Sequence, residues 1–133
     1  MTDTYIPRGA GKRHLVQTTQ FNIDNGAGTT LDDAFLICSQ PISIKRATVL
    51  YTQATTGTVA AATVQLGTTA GGTELVAATA LENTKAIGTT TALTLKAAAA
   101  FVAANTMITA RHTGVAATAA GEYRVLVEYE VLS

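Results

Sequence analysis

The sequence predicts an all-β domain, an antiparallel jelly roll or β-sandwich of about eight strands, preceded by an extended N-terminal arm. Short runs of β-branched and aromatic residues recur at intervals of roughly 8–12 residues, with glycine, proline or asparagine between them. No amphipathic helix is available to connect parallel strands, which argues against a parallel sheet. We therefore divide the 133 residues into an arm at 1–14 and a β-sandwich domain at 15–133.

The last strand, residues 122–132, shows the clearest pattern. Apolar and aromatic residues fill every second position: Tyr123, Val125, Val127, Tyr129 and Val131. Polar residues, three of them glutamates, and Leu126 occupy positions between these. A repeat of two residues over this length fits a strand and not a helix, so we expect one face in the core and the other in solvent.

The other strands are shorter. They are expected, in chain order, at residues 15–23, 34–39, 42–53, 59–66, 74–81, 92–96 and 106–112. The continuous apolar run at 34–39 is typical of a buried strand. Residues 95–105 contain good helix formers and allow a short helix, but the β-patterns on both sides favour a strand end followed by an alanine-rich turn.

One strand changes its apolar face partway along. Ile42 and Ile44 have even numbers, whereas Val49 and Tyr51 have odd numbers. Successive residues of a strand point to opposite faces, so a regular strand cannot bury both pairs. We expect a β-bulge or bend near Arg46, where one extra residue would restore the apolar face.

Small residues dominate the chain, with 25 alanines, 25 threonines and 11 glycines, and there is no tryptophan. Alanine contributes little transfer free energy, so the hydrophobic fraction of 47% overstates the core. We expect a thin core and an oligomer that adds stability. Nine basic residues balance nine acidic ones, which is atypical of a disordered chain and of a nucleic-acid-binding protein.

Cys38 is the single cysteine, so an intramolecular disulfide is excluded, and its apolar neighbours predict a small buried side chain. The first residues lack the apolar region of a secretory signal. No apolar run approaches the roughly 20 residues that span a membrane. We therefore expect a protein made in the cytoplasm that has no membrane partner.

The arm at 1–14 is expected to be extended, because Pro7 restricts the residue before it and two glycines follow. Arg8, Lys12 and Arg13 outnumber the one acidic residue of the arm. A basic arm suits contact with an acidic protein surface or with nucleic acid, and a frayed, solvated terminus is the simpler alternative.

The sequence offers no catalytic motif. His14 and His112 lack zinc-ligand spacing and a serine–aspartate partner set, and we expect His112 to be a surface or interface group. Gly26 and Gly28 indicate a turn, since no helix follows them to bind phosphate. The glutamates of the last strand are more typical of a solvated face than of a glycosidase pair. We predict neither an enzyme nor a cofactor.

Several oxygen ligands lie close together in the chain, at Asp24, Asn25, Asp32 and Asp33. Oxygen ligands of this type are the ones that Ca²⁺ prefers. The spacing does not match an EF-hand, and aspartate and asparagine are also ordinary turn residues. We therefore predict no metal site.

Four stretches carry a resemblance to a known family. They are 34–42 (AFLICSQPI), 63–68 (TVQLGT) with the glycine turn that follows it at 71–73, 106–110 (TMITA) and 121–130 (GEYRVLVEYE). Over residues 31–131, the chain resembles the small jelly-roll decoration (cement) proteins of tailed-phage capsids. One departure is Ala104-Asn105, at a turn where that family commonly has Gly-Asp.

The resemblance implies a non-enzymatic viral structural protein. It implies a homotrimer on the capsid exterior that binds the major capsid protein, reinforces the shell and assembles in the host cytoplasm. With this function, Arg8, Lys12 and Arg13 of the basic arm are the expected capsid contacts, together with an edge of the sandwich.

Two alternatives remain at this point. The first is a receptor- or carbohydrate-binding head domain of a phage fibre or spike, for which the chain offers Tyr5, Tyr51, Tyr123 and Tyr129 as aromatic contacts. The second is a bacterial surface or filament subunit. The lack of an export signal argues against the second alternative.

Overall fold

A computed structural model describes residues 12–59, 61–96, 101–116 and 118–132. These residues contain nine β-strands: β1 (Arg13–Gln17), β2 (Phe21–Asn22), β3 (Thr30–Cys38), β4 (Ile42–Thr56), β5 (Thr63–Gly67), β6 (Val76–Ala80), β7 (Thr90–Leu93), β8 (Thr106–Thr113) and β9 (Ala120–Val131). Across the same residues, no helix has the length and apolar character that crossing a bilayer requires.

The strands form two antiparallel sheets. The first sheet has the order β1–β9–β4–β7, with β2 also paired to β9, and the second has the order β3–β8–β5–β6. The chain therefore pairs from its ends inward: β1 with β9, β3 with β8, β4 with β7 and β5 with β6. Rolling such a long hairpin into two sheets gives a jelly roll. The predicted fold class is confirmed, and the short β2 brings the strand count to nine.

The core lies between the sheets and follows the predicted alternation of β9. Tyr123, Val125 and Val127 are completely buried, whereas the residues between them reach the opposite surface. Phe21 and Ile23 from the first sheet's edge and Val64 and Leu66 of β5 are also among the buried side chains. Aromatic and branched side chains thus fill the interior, and most of the small residues lie elsewhere.

The change of face in β4 is confirmed as a bulge. The register with β9 shifts between Ile44 and Arg46. The extra residue, Lys45, lets Ile44 and Ala47 both face the core, where each is almost completely buried. It also leaves Lys45 and Arg46 exposed side by side.

The expectation of a buried strand at 34–39 is wrong. Strand β3 belongs to one of two sheets packed face to face, so only one face of its apolar run is covered and the other is open to solvent. Phe35 and Leu36 are half-buried, and Ile37 is 68% exposed. Cys38, at the end of the strand, is buried as expected.

The expected arm and the segment at 95–105 are only partly described by the structure. Strand β1 begins at Arg13, so Arg13 and His14 of the expected arm pair with Glu130 and Tyr129. Residues 1–11 lie outside the described residues, as do 97–100 of the segment for which a helix or a turn was considered. The described part of that segment contains no helix, and Val102 forms an isolated bridge with Ile42.

Two glycines in turns share a left-handed backbone but differ in their surroundings. Gly57, after β4, has a φ of 72°, and a Cβ placed there would lie 2.7 Å from the carbonyl oxygen of Thr118. Gly28, before β3, has a φ of 70°, and a Cβ there would meet no atom within 4 Å. The backbone of the β8–β9 connection therefore requires glycine at position 57 for a steric reason as well as a conformational one.

We expect Gly57→Ala to lower the free energy of unfolding by about 2–4 kcal/mol, since it adds a backbone clash to the left-handed penalty. Gly28→Ala carries only that penalty, about 1–2 kcal/mol. Urea unfolding of both variants measures the difference. Equal losses at the two positions would contradict the close approach of Thr118 to Gly57.

Candidate functional site

The outer face of the first sheet brings together charged and apolar side chains from β1, β4, β7 and β9. Because Val125 and Val127 point to the core, Leu126 between them and Glu128 after them point outward. Register places Leu15 of β1 and Arg46 of β4 on either side of Glu128. The strands thus align residues that are far apart in sequence.

Three ion pairs lie on this face. Arg13 Nη1 is 3.4 Å from Glu128 Oε2, and Arg46 Nη2 is 3.2 Å from Glu128 Oε1. Lys45 Nζ is 3.3 Å from Glu130 Oε1. The Arg13 and Arg46 side chains remain 59% and 69% exposed, and exposed pairs of this kind contribute only about 0–1 kcal/mol to stability. Their main effect is on the charge of the surface.

A shallow groove of about 380 Å³ lies next to these ion pairs. Its lining comes from all four main strands of the first sheet: Leu15, Arg46, Thr48, Thr90, Ala92, Leu126 and Glu128. Thr48 of β4 is paired with Leu126 of β9 on one side and with Ala92 of β7 on the other. The small side chains of Thr48 and Ala92 leave a depression in the sheet surface beside their larger neighbours. Leu15 at its border is 66% exposed.

The structure brings one of the three predicted contact residues to this face. Arg13 shares Glu128 with Arg46, and Lys12 is exposed directly before β1, while Arg8 lies outside the described residues. From the sequence, Lys45 and Arg46 are a basic pair within a strand, read as a solvated edge or an interface charge. Arg46 lies near Arg13 because β4 and β1 both pair with β9. A local sequence pattern does not show which residues of these strands are opposite each other.

His112 is not a surface group, and that expectation is wrong. The side chain is completely buried on the core face of β8. Its Nδ1 is hydrogen-bonded to the hydroxyl of Tyr123 at 2.7 Å, and the ring of Phe21 stacks on it with centroids 5.6 Å apart. His112 has the same parity as the buried Ile108 and Ala110, and this was the available signal.

The His112–Tyr123 hydrogen bond connects β8 of the second sheet to β9 of the first. Burial lowers the pKa of His112, and the nearby backbone of Asn22 and Ile23 partly opposes this effect. Burial also raises the pKa of the Tyr123 hydroxyl well above its usual value. Both groups are therefore neutral at pH 7, and their hydrogen bond connects the two sheets.

The depressed pKa of His112 predicts loss of stability in acid. The unfolded histidine binds a proton near pH 6.5, whereas the folded one resists it until a lower pH. The free energy of unfolding is therefore highest above pH 6.5 and falls as pH decreases from 6.5 toward the folded pKa. Urea unfolding between pH 7 and pH 5 measures this slope.

His112→Gln is expected to be less stable at pH 7 and to show a flatter pH dependence in this window. His14→Gln, at an exposed position, is the matched control and should keep the wild-type slope. A wild-type slope in His112→Gln would show that another group causes the acid sensitivity.

The other candidate ligands do not converge. Asp32 forms a bidentate pair with Arg111, at 2.7 and 2.9 Å, and this partner lowers the pKa of its carboxyl group. Asp33 accepts a hydrogen bond from the backbone N–H of Thr19 at 2.6 Å. Among the described residues, no group of three or more histidine, cysteine, aspartate or glutamate side chains is placed to hold a metal ion. The glutamates of β9 are engaged with Gln20, Arg13, Arg46 and Lys45.

Comparison with known proteins gives a fold relationship. No protein-family model matches the sequence, and a search of curated proteins found no match. The structure is similar to a chain in the cyanophage Pam1 capsid asymmetric unit, with a TM-score of 0.63 and 16% identity over 92% of this chain and 86% of that one. A weaker similarity, with a TM-score of 0.40 and 15% identity over 92% of this chain and 37% of the other, is to a chain of infectious bursal disease virus Gx strain. The first similarity shows a shared fold, and the second is too weak to support one.

Proposed function

We propose that the protein is a structural component of a tailed-phage virion, a decoration protein that binds the outer surface of the major capsid protein shell and stabilises it. The observation that carries this proposal is the jelly roll shared, along almost the whole chain, with a chain of the cyanophage Pam1 capsid asymmetric unit. Such a protein assembles in the host cytoplasm and remains on the virion exterior.

The surface chemistry of the described residues supports a binding role. The first sheet presents exposed arginines and an apolar groove, whereas the buried His112 and Tyr123 are hydrogen-bonded to each other. A decoration protein needs no reacting group. It stabilises the shell by mass action, because it binds assembled capsid protein and not the dissociated subunits.

The proposed contacts are Arg8, Lys12 and Arg13, and the proposed assembly is a homotrimer. Arg13 is exposed at the start of β1, and its side chain lies on the outer face of the first sheet. Lys12 is exposed beside it. Basic residues at this place suit an acidic patch of the capsid protein.

The alternative role of a carbohydrate- or receptor-binding head has less support. Sugar-binding sites need exposed aromatic faces, but Tyr51 and Tyr123 are completely buried. Tyr129 is half-buried and stacks with His14, with ring centroids 5.3 Å apart. Three of the four tyrosines considered for such a site are thus engaged within the fold, and Tyr5 lies outside the described residues.

We expect the purified protein to co-sediment with capsids that lack it and to raise the temperature at which they release DNA. The variant Arg8→Glu/Lys12→Glu/Arg13→Glu should bind at least about tenfold more weakly, because charge reversal converts attraction into repulsion. The proposed homotrimer is tested separately, by measuring the molar mass of the free protein with light scattering.

The outcomes test the decoration role and the three basic contact residues separately. Failure of the wild-type protein to bind such capsids would contradict the decoration role, and saturable binding to a glycan array would favour the receptor-binding alternative. Equal binding by the triple variant would leave the decoration role in place and remove the three basic residues from the contact.

A further inference from the structure

The groove on the outer face of the first sheet lies on the side of that sheet opposite the core. We propose that it receives a segment of the major capsid protein in which an apolar side chain stands beside a carboxylate. The apolar side chain enters the groove, and the carboxylate binds Arg13 and Arg46 at its border. This inference rests on the proposed function, and it adds the surface and the chemistry of the partner.

The shape of the groove is the reason for assigning an apolar side chain to the partner segment. Leu15 and Leu126 present branched side chains to solvent, and Thr48 and Ala92 leave room between them. A volume of about 380 Å³ accommodates one large side chain. Leu15 is 66% exposed, so covering it would remove a large part of its apolar surface from water.

The charges at the border account for the carboxylate. Arg13 and Arg46 share the single carboxylate of Glu128, and each reaches it through one guanidinium nitrogen. A guanidinium has five N–H donors, so most donors of both side chains point elsewhere. Two cations against one anion leave a local positive excess, which is complementary to a partner carboxylate.

The second sheet shows that exposed apolar residues alone do not produce this arrangement. Ile37 and Met107 are exposed cross-strand neighbours on its outer face. The ion pair between β3 and β8, however, is one-to-one: Asp32 binds Arg111 through both oxygens. That face therefore has apolar surface without a charge excess, and it supplies the matched control.

The test is binding to capsids that lack the protein, measured by co-sedimentation at increasing protein concentration. Leu15→Asp places a carboxylate at the border, and Ala92→Phe fills the groove. Each is expected to weaken binding at least about tenfold, as for central interface residues. Ile37→Asp changes an equally exposed residue on the second sheet and should bind within about twofold of wild type. Circular dichroism and thermal unfolding check that each variant is folded.

A third variant tests the sign of the partner's charge. Glu128→Gln removes the carboxylate that competes for Arg13 and Arg46, so binding should become about two- to fivefold tighter and should weaken with added salt. This substitution is on the outer face of the sheet and removes two ion pairs whose arginines are more than half exposed. Weaker binding by Glu128→Gln would overturn the assignment of a carboxylate to the partner.

The outcomes distinguish this inference from the function on which it rests. If wild-type protein does not bind capsids, both fail. If wild-type protein binds and Leu15→Asp and Ala92→Phe bind equally well, the groove is not the docking site while the decoration role stands. Loss of binding by Ile37→Asp alone would assign the contact to the second sheet and overturn the proposal.

Discussion

The antiparallel pairing of β4 with β9 is the interaction on which the rest of the structure depends. It runs from Ile42 opposite Val131 to Thr56 opposite Ala120, along the full length of both strands. Strand β9 also pairs with β1 and β2, and β4 also pairs with β7, so these two strands organise the whole first sheet. Their inward side chains form one wall of the core, and their outward side chains form the middle of the groove. A single ladder thus positions both the core and the proposed contact surface.

A polar connection between two sheets adds to apolar contact in holding a sandwich together. The His112–Tyr123 hydrogen bond is one such connection, and the ring of Phe21 covers it. The pair places polar atoms in the interior, where a hydrogen bond to a specific partner also fixes the relative position of the two sheets. Burial keeps the pair neutral, at the cost of sensitivity to acid. The arrangement of the core and its pH dependence have the same origin.

The features that were predicted correctly from the sequence are those that depend on a local pattern of residues. The alternation in β9 and the change of parity in β4 are visible residue by residue, and both are present in the structure. The exposure of Ile37 was missed because an apolar run does not reveal whether one face of its strand or both faces are covered. His112 was expected to be a surface or interface group, although its parity with Ile108 pointed inward. The groove was missed because it depends on the register of strands that are distant in sequence.

The bulge in β4 limits how this protein can change during evolution. It consists of one residue, Lys45, which keeps Ile42 and Ile44 in the core while placing two cations together on the outside. Exchanging Lys45 or Arg46 for another polar residue would alter the surface and leave the core untouched. Deleting either residue would instead turn one half of β4 over and expose its branched side chains. The outward side chains at positions 45 and 46 can therefore be exchanged without disturbing the interior, whereas the interior fixes the number of residues in this part of β4.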